Sequence, residues 1–192
     1  MRRVIVCLVC AVLMACDAGN KYSTRYPCNF VFYLNLYTSS ALSRAVGNPG
    51  DFVMVHPETA QGAIHLMLTP NHGHWEKSDT DLIMRTAITG ERISYNQMGA
   101  AQALIIGHSR YFGLKAFDRQ CPNCLNDYGS PRYTLQWNPR NDQQVVCYKC
   151  RRIYSLEGYD AFPIEGGKKG DEPLMQYRIE VVGNNEKLYV HN

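Results

Sequence analysis

Four cysteines set as two Cys-x-x-Cys pairs, Cys121 with Cys124 and Cys147 with Cys150, carry the most specific chemistry in this sequence. Two thiols three positions apart on a tight turn can aim at one point. Two such turns brought together make a tetrahedral thiolate cage. Soft sulfur ligands in that geometry suit zinc or a single iron, and four cysteines also admit a two-iron cluster. The spacing specifies a metal site more sharply than it specifies a use, because most such cages hold a fold together and catalyse nothing. Four thiolates on a divalent ion leave a net charge of about −2, a cost that nearby cations lower. Arg119, Arg132, Lys149, Arg151 and Arg152 are the basic residues closest in sequence.

The start of the chain decides where those thiols reside. Arg2 and Arg3 precede an apolar run from Val4 to Met14, followed by Ala15 and Cys16. The run is shorter than the ~20 apolar residues a membrane-spanning helix needs and reads as a signal segment. Its end, Leu13-Met14-Ala15-Cys16, resembles the lipobox of bacterial lipoproteins. That resemblance implies a signal peptide over 1–15, a mature chain over 16–192 and acylation, palmitate included, at Cys16. The protein would then hang from the inner or outer membrane of the cell envelope without crossing it. Asp17 does not decide which membrane, and Cys7 and Cys10 fall in the removed segment. An ordinary secretory signal with an incidental Cys16 is the alternative.

The chain has 192 residues and a formal net charge of +3, and loss of Arg2 and Arg3 brings it close to neutral. Nothing in that balance argues for nucleic acid or an acidic polymer as a partner. Lipid, rather than charge, would supply the membrane affinity. The length fits one domain, or one domain with a small subdomain.

Export leaves two alternatives to a metal. Outside the cytoplasm cysteines commonly pair as disulfides. A Cys-x-x-Cys pair can also be a redox dithiol, as in thioredoxin-like proteins, but that motif opens a helix after a strand. Pro122 and Asn123 lie inside the first pair, and Gly129 and Pro131 follow, so no amphipathic helix is expected there. Cys28 heads an apolar run and reads as a buried small hydrophobe.

The elements that must position the pairs are almost all strands. Asn29 to Tyr37 is dense in aromatic and branched residues and predicts a first strand. Ser40 to Val46 predicts one or two helical turns, stopped by Gly47-Asn48-Pro49-Gly50. Short strands are predicted over 52–56, 64–69, 82–88, 103–108 and 114–117, then over 133–137, 145–148, 153–155, 175–182 and 187–191. Gly183-Asn184-Asn185-Glu186 reads as a hairpin turn between the last two. Short, closely spaced strands with Gly and Pro between them argue for an all-β chain, an antiparallel sandwich or barrel.

Three segments carry a family likeness: LIIGHSRYFGLKAFDRQCPNC, VVCYKCRRIYSLEGYDAF and PLMQYRIEVVGNNEKLYV. In that order they supply a strand pair into a first ligand loop, a second ligand loop with its following strand and turn, and a closing hairpin. The chain from about Gln102 onward resembles the Rieske iron–sulfur fold, as in ferredoxin subunits of ring-hydroxylating systems. It looks most like Rieske-like bacterial envelope lipoproteins. The resemblance implies a Rieske-like β domain over 16–192, with Tyr26 to Val55 as opening strands and about 60–100 as an insertion. A small metal-binding subdomain, similar to rubredoxin or a zinc ribbon, would occupy about 119–156. The chain departs from the pattern at the ligands themselves. Cys124 and Cys150 stand where a Rieske centre places histidines, and Arg151 replaces the usual glycine after the second ligand. Without imidazoles the site loses the origin of a high Rieske potential. Four equal thiolates suit zinc, with a mononuclear iron or a 2Fe–2S cluster as alternatives.

Other constellations carry less. His72-Gly73-His74, with His56 and His65 upstream, forms a weak second metal candidate, and His108 reads as strand-end packing. Glu157, Asp160 and Glu165 lack an identifiable catalytic partner, and Gly166 to Gly170 lacks the strand-to-helix context of a phosphate loop. Three functional classes follow. One is a non-enzymatic envelope lipoprotein with a structural metal, one an electron carrier holding iron, and one a surface module binding a partner through residues 60–100.

Overall fold

The computed structural model describes residues 21–60, 63–72, 81–83 and 97–192. In chain order its strands are β1 (Asn29–Tyr33), β2 (Phe52–Ala60), β3 (Ala63–Pro70), β4 (Asp81–Ile83), β5 (Leu104–Ser109) and β6 (Gly113–Asp118). After them come β7 (Gln136–Asn138), β8 (Asn141–Val146), β9 (Ile153–Ser155), β10 (Pro163–Glu165), β11 (Gln176–Val182) and β12 (Lys187–His191). The larger sheet has the order β1-β12-β11-β6-β5-β2-β3-β4 and curls into a half-barrel. A smaller sheet, β10-β9-β8-β7, stands apart from it and pairs only within itself. The strands described pair antiparallel throughout, so the expected all-β class is what these residues form.

The middle strands of the large sheet are apolar on both sides because both sides are covered. Val53, Val55, Leu104, Ile106 and Ala116 face one core with Phe30, Phe32, Leu188 and Val190. Their neighbours Phe52, Met54, Ile105 and Phe117 face the other, with Leu135, Trp137, Val145 and Leu156 of the small-sheet region. The two-residue period of a strand makes this division, and each such side chain contributes ~1.5–3 kcal/mol on full burial. The first core is closed by α1 (Ala41–Gly47), which buries Ala41, Leu42 and Ala45. Ser40 caps it, its Oγ accepting from the Ser43 N–H at 3.1 Å.

Several boundaries differ from the sequence expectation. β1 ends at Tyr33 rather than Tyr37, because the chain turns to bury Leu34 and to set Tyr37 5.3 Å from Phe32. β2 runs on to Ala60 through Pro57. That proline is tolerated because β5 pairs only with Phe52 to Val55, so among the described residues no strand pairs with Pro57 on that side and no donor is needed there. β10 was not expected and meets β9 irregularly. The largest correction is α2 (Pro122–Tyr128), a two-turn helix where a loop is predicted. Pro122 takes its first position, where a missing N–H costs nothing, and Gly129 ends it with φ 68°. The residues that read as turn signals are therefore the two ends of a helix.

Cys16 lies outside the described residues, as does most of the 60–100 stretch. Ala63–Pro70 and Asp81–Ile83 of that stretch extend the large sheet as β3 and β4. Among the described residues no helix is long and apolar enough to cross a membrane.

Candidate metal centre

The four cysteines arrive from two different kinds of turn. Cys121 precedes α2 and Cys124 lies in its first turn, with the Leu125 N–H donating to the Cys121 carbonyl at 3.0 Å. Cys147 and Cys150 sit on the tight turn between β8 and β9, closed by the Arg151 N–H on the Cys147 carbonyl at 2.7 Å. Arg151 is left-handed at φ 61°, a conformation that favours glycine. Within each pair the N–H of the second cysteine donates to the sulfur of the first. Backbone dipoles thus favour the thiolate form at Cys121 and Cys147.

The sulfurs converge. One sulfur from each of the four residues lies within 4.8 Å of all the others. The shortest contacts run between pairs: Cys121 to Cys150 at 3.6 Å and Cys124 to Cys147 at 3.6 Å. Thiolates ~2.3 Å from a central ion stand ~3.8 Å apart in a tetrahedron, so these contacts match one ion. A two-iron cluster would hold its two pairs of thiolates further apart. All five described cysteines, Cys28 included, are free thiols. Cross-pair proximity also disfavours a dithiol acting within one pair.

The surroundings are dry and directional. Cys121, Cys124 and Cys147 are buried, and Cys150 alone is partly open. Cys147 is drawn down to about 5, chiefly because the Cys121 thiol donates to it. Cys121 is pushed up by the same contact and by burial, and burial pushes Cys124 up to about 12. Without a cation, then, Cys121 and Cys124 hold their protons; a metal must displace them.

Tyr154, Asn123 and Asp171 are not legible in the sequence as site residues. The buried Tyr154 hydroxyl lies 3.6 Å from the Cys121 sulfur and accepts from Asn123 Nδ2 at 2.9 Å. Asn123 is fixed in turn by Glu172, donating to its carbonyl at 3.0 Å and accepting from its N–H at 2.9 Å. Arg152, one of the five basic candidates, contacts Cys150 and makes a two-pronged pair with Asp171 at 2.7 Å on each arm. This is the outer ring that orients ligands and offsets charge at a metal centre. Arg119 turns to the Leu135 carbonyl and Gln136 instead, and Lys149 rests over Tyr128 and Tyr133. The only clue to Tyr154 was its place in a short strand after the second pair.

Asp118 sets the approach to Cys121. Its carboxylate accepts from the Ala100, Ala101 and Gln120 N–H groups and from the Tyr177 hydroxyl. Gly99 passes so close that a Cβ would sit 2.3 Å from that carboxylate. The weak histidine site is not formed among the described residues, where the four cysteines are the cluster that could hold a metal ion. His72 pairs with Asp142 at 2.7 Å, and His108 meets the Val46 carbonyl at 3.2 Å, as strand-end packing predicts. His74 lies outside the described residues. Cys28 is buried and its thiol is pushed up to about 12 by burial, in keeping with a small hydrophobe.

Comparison with protein-family models, with curated proteins and with solved structures finds no match for this chain. The functional reading therefore rests on the site and the sequence alone.

Proposed function

We propose that this protein is a lipid-anchored lipoprotein of the cell envelope whose Rieske-like scaffold is held by one structural zinc ion and catalyses nothing. The observation that carries the metal is the convergence of all four thiols to within 4.8 Å of one another. A closed set of four protein ligands leaves no open position for water or substrate, the mark of a structural rather than a catalytic zinc site. Replacement of both Rieske histidines by Cys124 and Cys150 favours the same reading over an electron carrier. The anchor rests on Leu13-Met14-Ala15-Cys16 following a short apolar run.

When bound, zinc would cross-link α2 to the β8–β9 turn. The chain's own part is to present four sulfurs, two of them buttressed by backbone N–H groups, and to set the Arg152 cation beside Cys150. Elemental analysis of untagged protein, joined to an absorption spectrum taken with and without oxygen, tests this. Stoichiometric zinc with no visible bands is expected. Iron–thiolate bands would instead make the protein an electron carrier.

A further inference from the structure

Large aromatic side chains exposed together mark an interaction surface when the backbone beneath them is rigid. The tip of the β5–β6 hairpin presents Tyr111 at 75% exposure and Phe112 at 46%, and the turn after β9 presents Tyr159 at 61%. The rings touch in sequence: Tyr111 to Phe112 at 6.3 Å between centroids, and Phe112 to Tyr159 at 5.6 Å, both edge-on. The platform beneath is stitched. Glu157 accepts from the Ser109 hydroxyl and from the Arg110 N–H, at 3.0 Å for the latter. The buried Lys115 ammonium donates to the Leu156 and Gly158 carbonyls at 3.2 and 2.6 Å, under the Phe112 ring at 4.8 Å. The hairpin tip and the turn are therefore one surface, held together before any partner arrives.

The position of Lys21 says what that surface meets. Its ammonium sits 4.7 Å over the Tyr159 ring. Only four residues separate Lys21 from Cys16, and the five chain steps between them reach at most ~18 Å when fully extended. A folded partner of ordinary domain size, ~30 Å across, would not fit in that gap. Tyrosine and phenylalanine beside lysine are also the side chains that settle at the headgroup layer, apolar ring inward and polar end in water. Lys21 and the exposed Arg110 add cations that anionic lipid headgroups attract.

We infer that the Tyr111–Phe112–Tyr159 platform lies against the lipid headgroups of the leaflet that holds the Cys16 anchor and sets the domain's orientation on it. This rests on the lipoprotein reading. The test uses the lipidated full chain in vesicles of phosphatidylethanolamine with phosphatidylglycerol as the minor lipid. Mass spectrometry reads acylation at Cys16, and amide hydrogen exchange reads contact over 109–113 and 157–160. Expected are an acylated Cys16 and a roughly tenfold slowing of exchange at both segments relative to the lipid-free Cys16→Ser chain. The double variant Tyr111→Ser, Phe112→Ser should lose the slowing while keeping its metal and its far-ultraviolet spectrum. Acylated protein with unchanged exchange at both segments overturns the platform and leaves the anchor standing. Absence of acylation overturns both. Slowing that grows with protein concentration in the lipid-free chain overturns the platform in favour of contact between protein molecules.

Discussion

The two faces of the large sheet are closed in different ways. On one face Val53, Val55, Leu104 and Ile106 pack against α1 and the β1–β12 pair, and apolar contact does the closing. On the other, Phe52, Met54, Ile105 and Phe117 pack against a region whose strands are as short as three residues. That region pairs its short strands only with one another, and its buried core includes Cys121, Cys124 and Cys147. Several buried polar groups on this side are answered by neighbours, Arg152 by Asp171, Asn123 by Glu172 and Lys115 of β6 by two carbonyls. One side of the sheet is thus closed by apolar volume, while the other gathers four thiols that could hold a metal ion.

The difference can be broken most severely at the ligands. A structural zinc site supplies on the order of 10–16 kcal/mol of apparent binding free energy. Whole-domain stability is only ~5–15 kcal/mol. Cys147→Ser or Cys124→Ser should therefore lose the metal and melt residues 121–155 while α1 and its core persist. Hydrogen exchange resolved along the chain would show protection lost over 121–155 and kept over 41–47 and 104–107. Full stoichiometric metal in either variant would defeat the claim.

The opposite cut is Leu42→Ala in α1, where Leu42 is fully buried. A cavity there should cost about 2–5 kcal/mol in denaturant unfolding, with metal content unchanged. Loss of zinc in that variant would mean that the two faces are not independent.

A finer probe is Tyr154→Phe, which removes the hydroxyl beside Cys121 and leaves the ring. Loss of such an outer hydrogen bond weakens metal affinity ~10–100-fold, read by competition with a chelator. Global stability of the metal-loaded protein should change little.

The smallest effect is on pH dependence. Burial draws Lys115 down to about 8 from an ordinary 10.5. Between those values the unfolded chain holds a proton that the folded chain has released, so stability rises with pH across the window. Below about 8 both states are protonated and the contribution is flat. Lys115→Met should abolish that rise, measured as the difference in unfolding midpoint between the two proteins from neutral to alkaline pH.

Much of this arrangement was written in spacing and alternation. The cysteine pairs named the four thiols that converge, and the runs FVMV and LII marked strands. Gly183 to Glu186 placed the last hairpin turn correctly, since Val182 pairs with Lys187. α2 was hidden because proline and glycine signal both a turn and the two ends of a helix. Their meaning depends on what Leu125 packs against, and that is tertiary. Tyr154, Asn123 and Asp171 were hidden for a related reason. They reach the site across 31, 49 and 19 residues of chain to their partners, and no local pattern records such contacts.

Native mass spectrometry of the untagged chain, followed by the same measurement after a chelator, addresses the thiolate cage most directly. One zinc ion per chain, with the chelator releasing it and unfolding residues 121–155, is the expected result. A bare chain that is folded over those residues, or one whose cysteines are joined as disulfides, would contradict it.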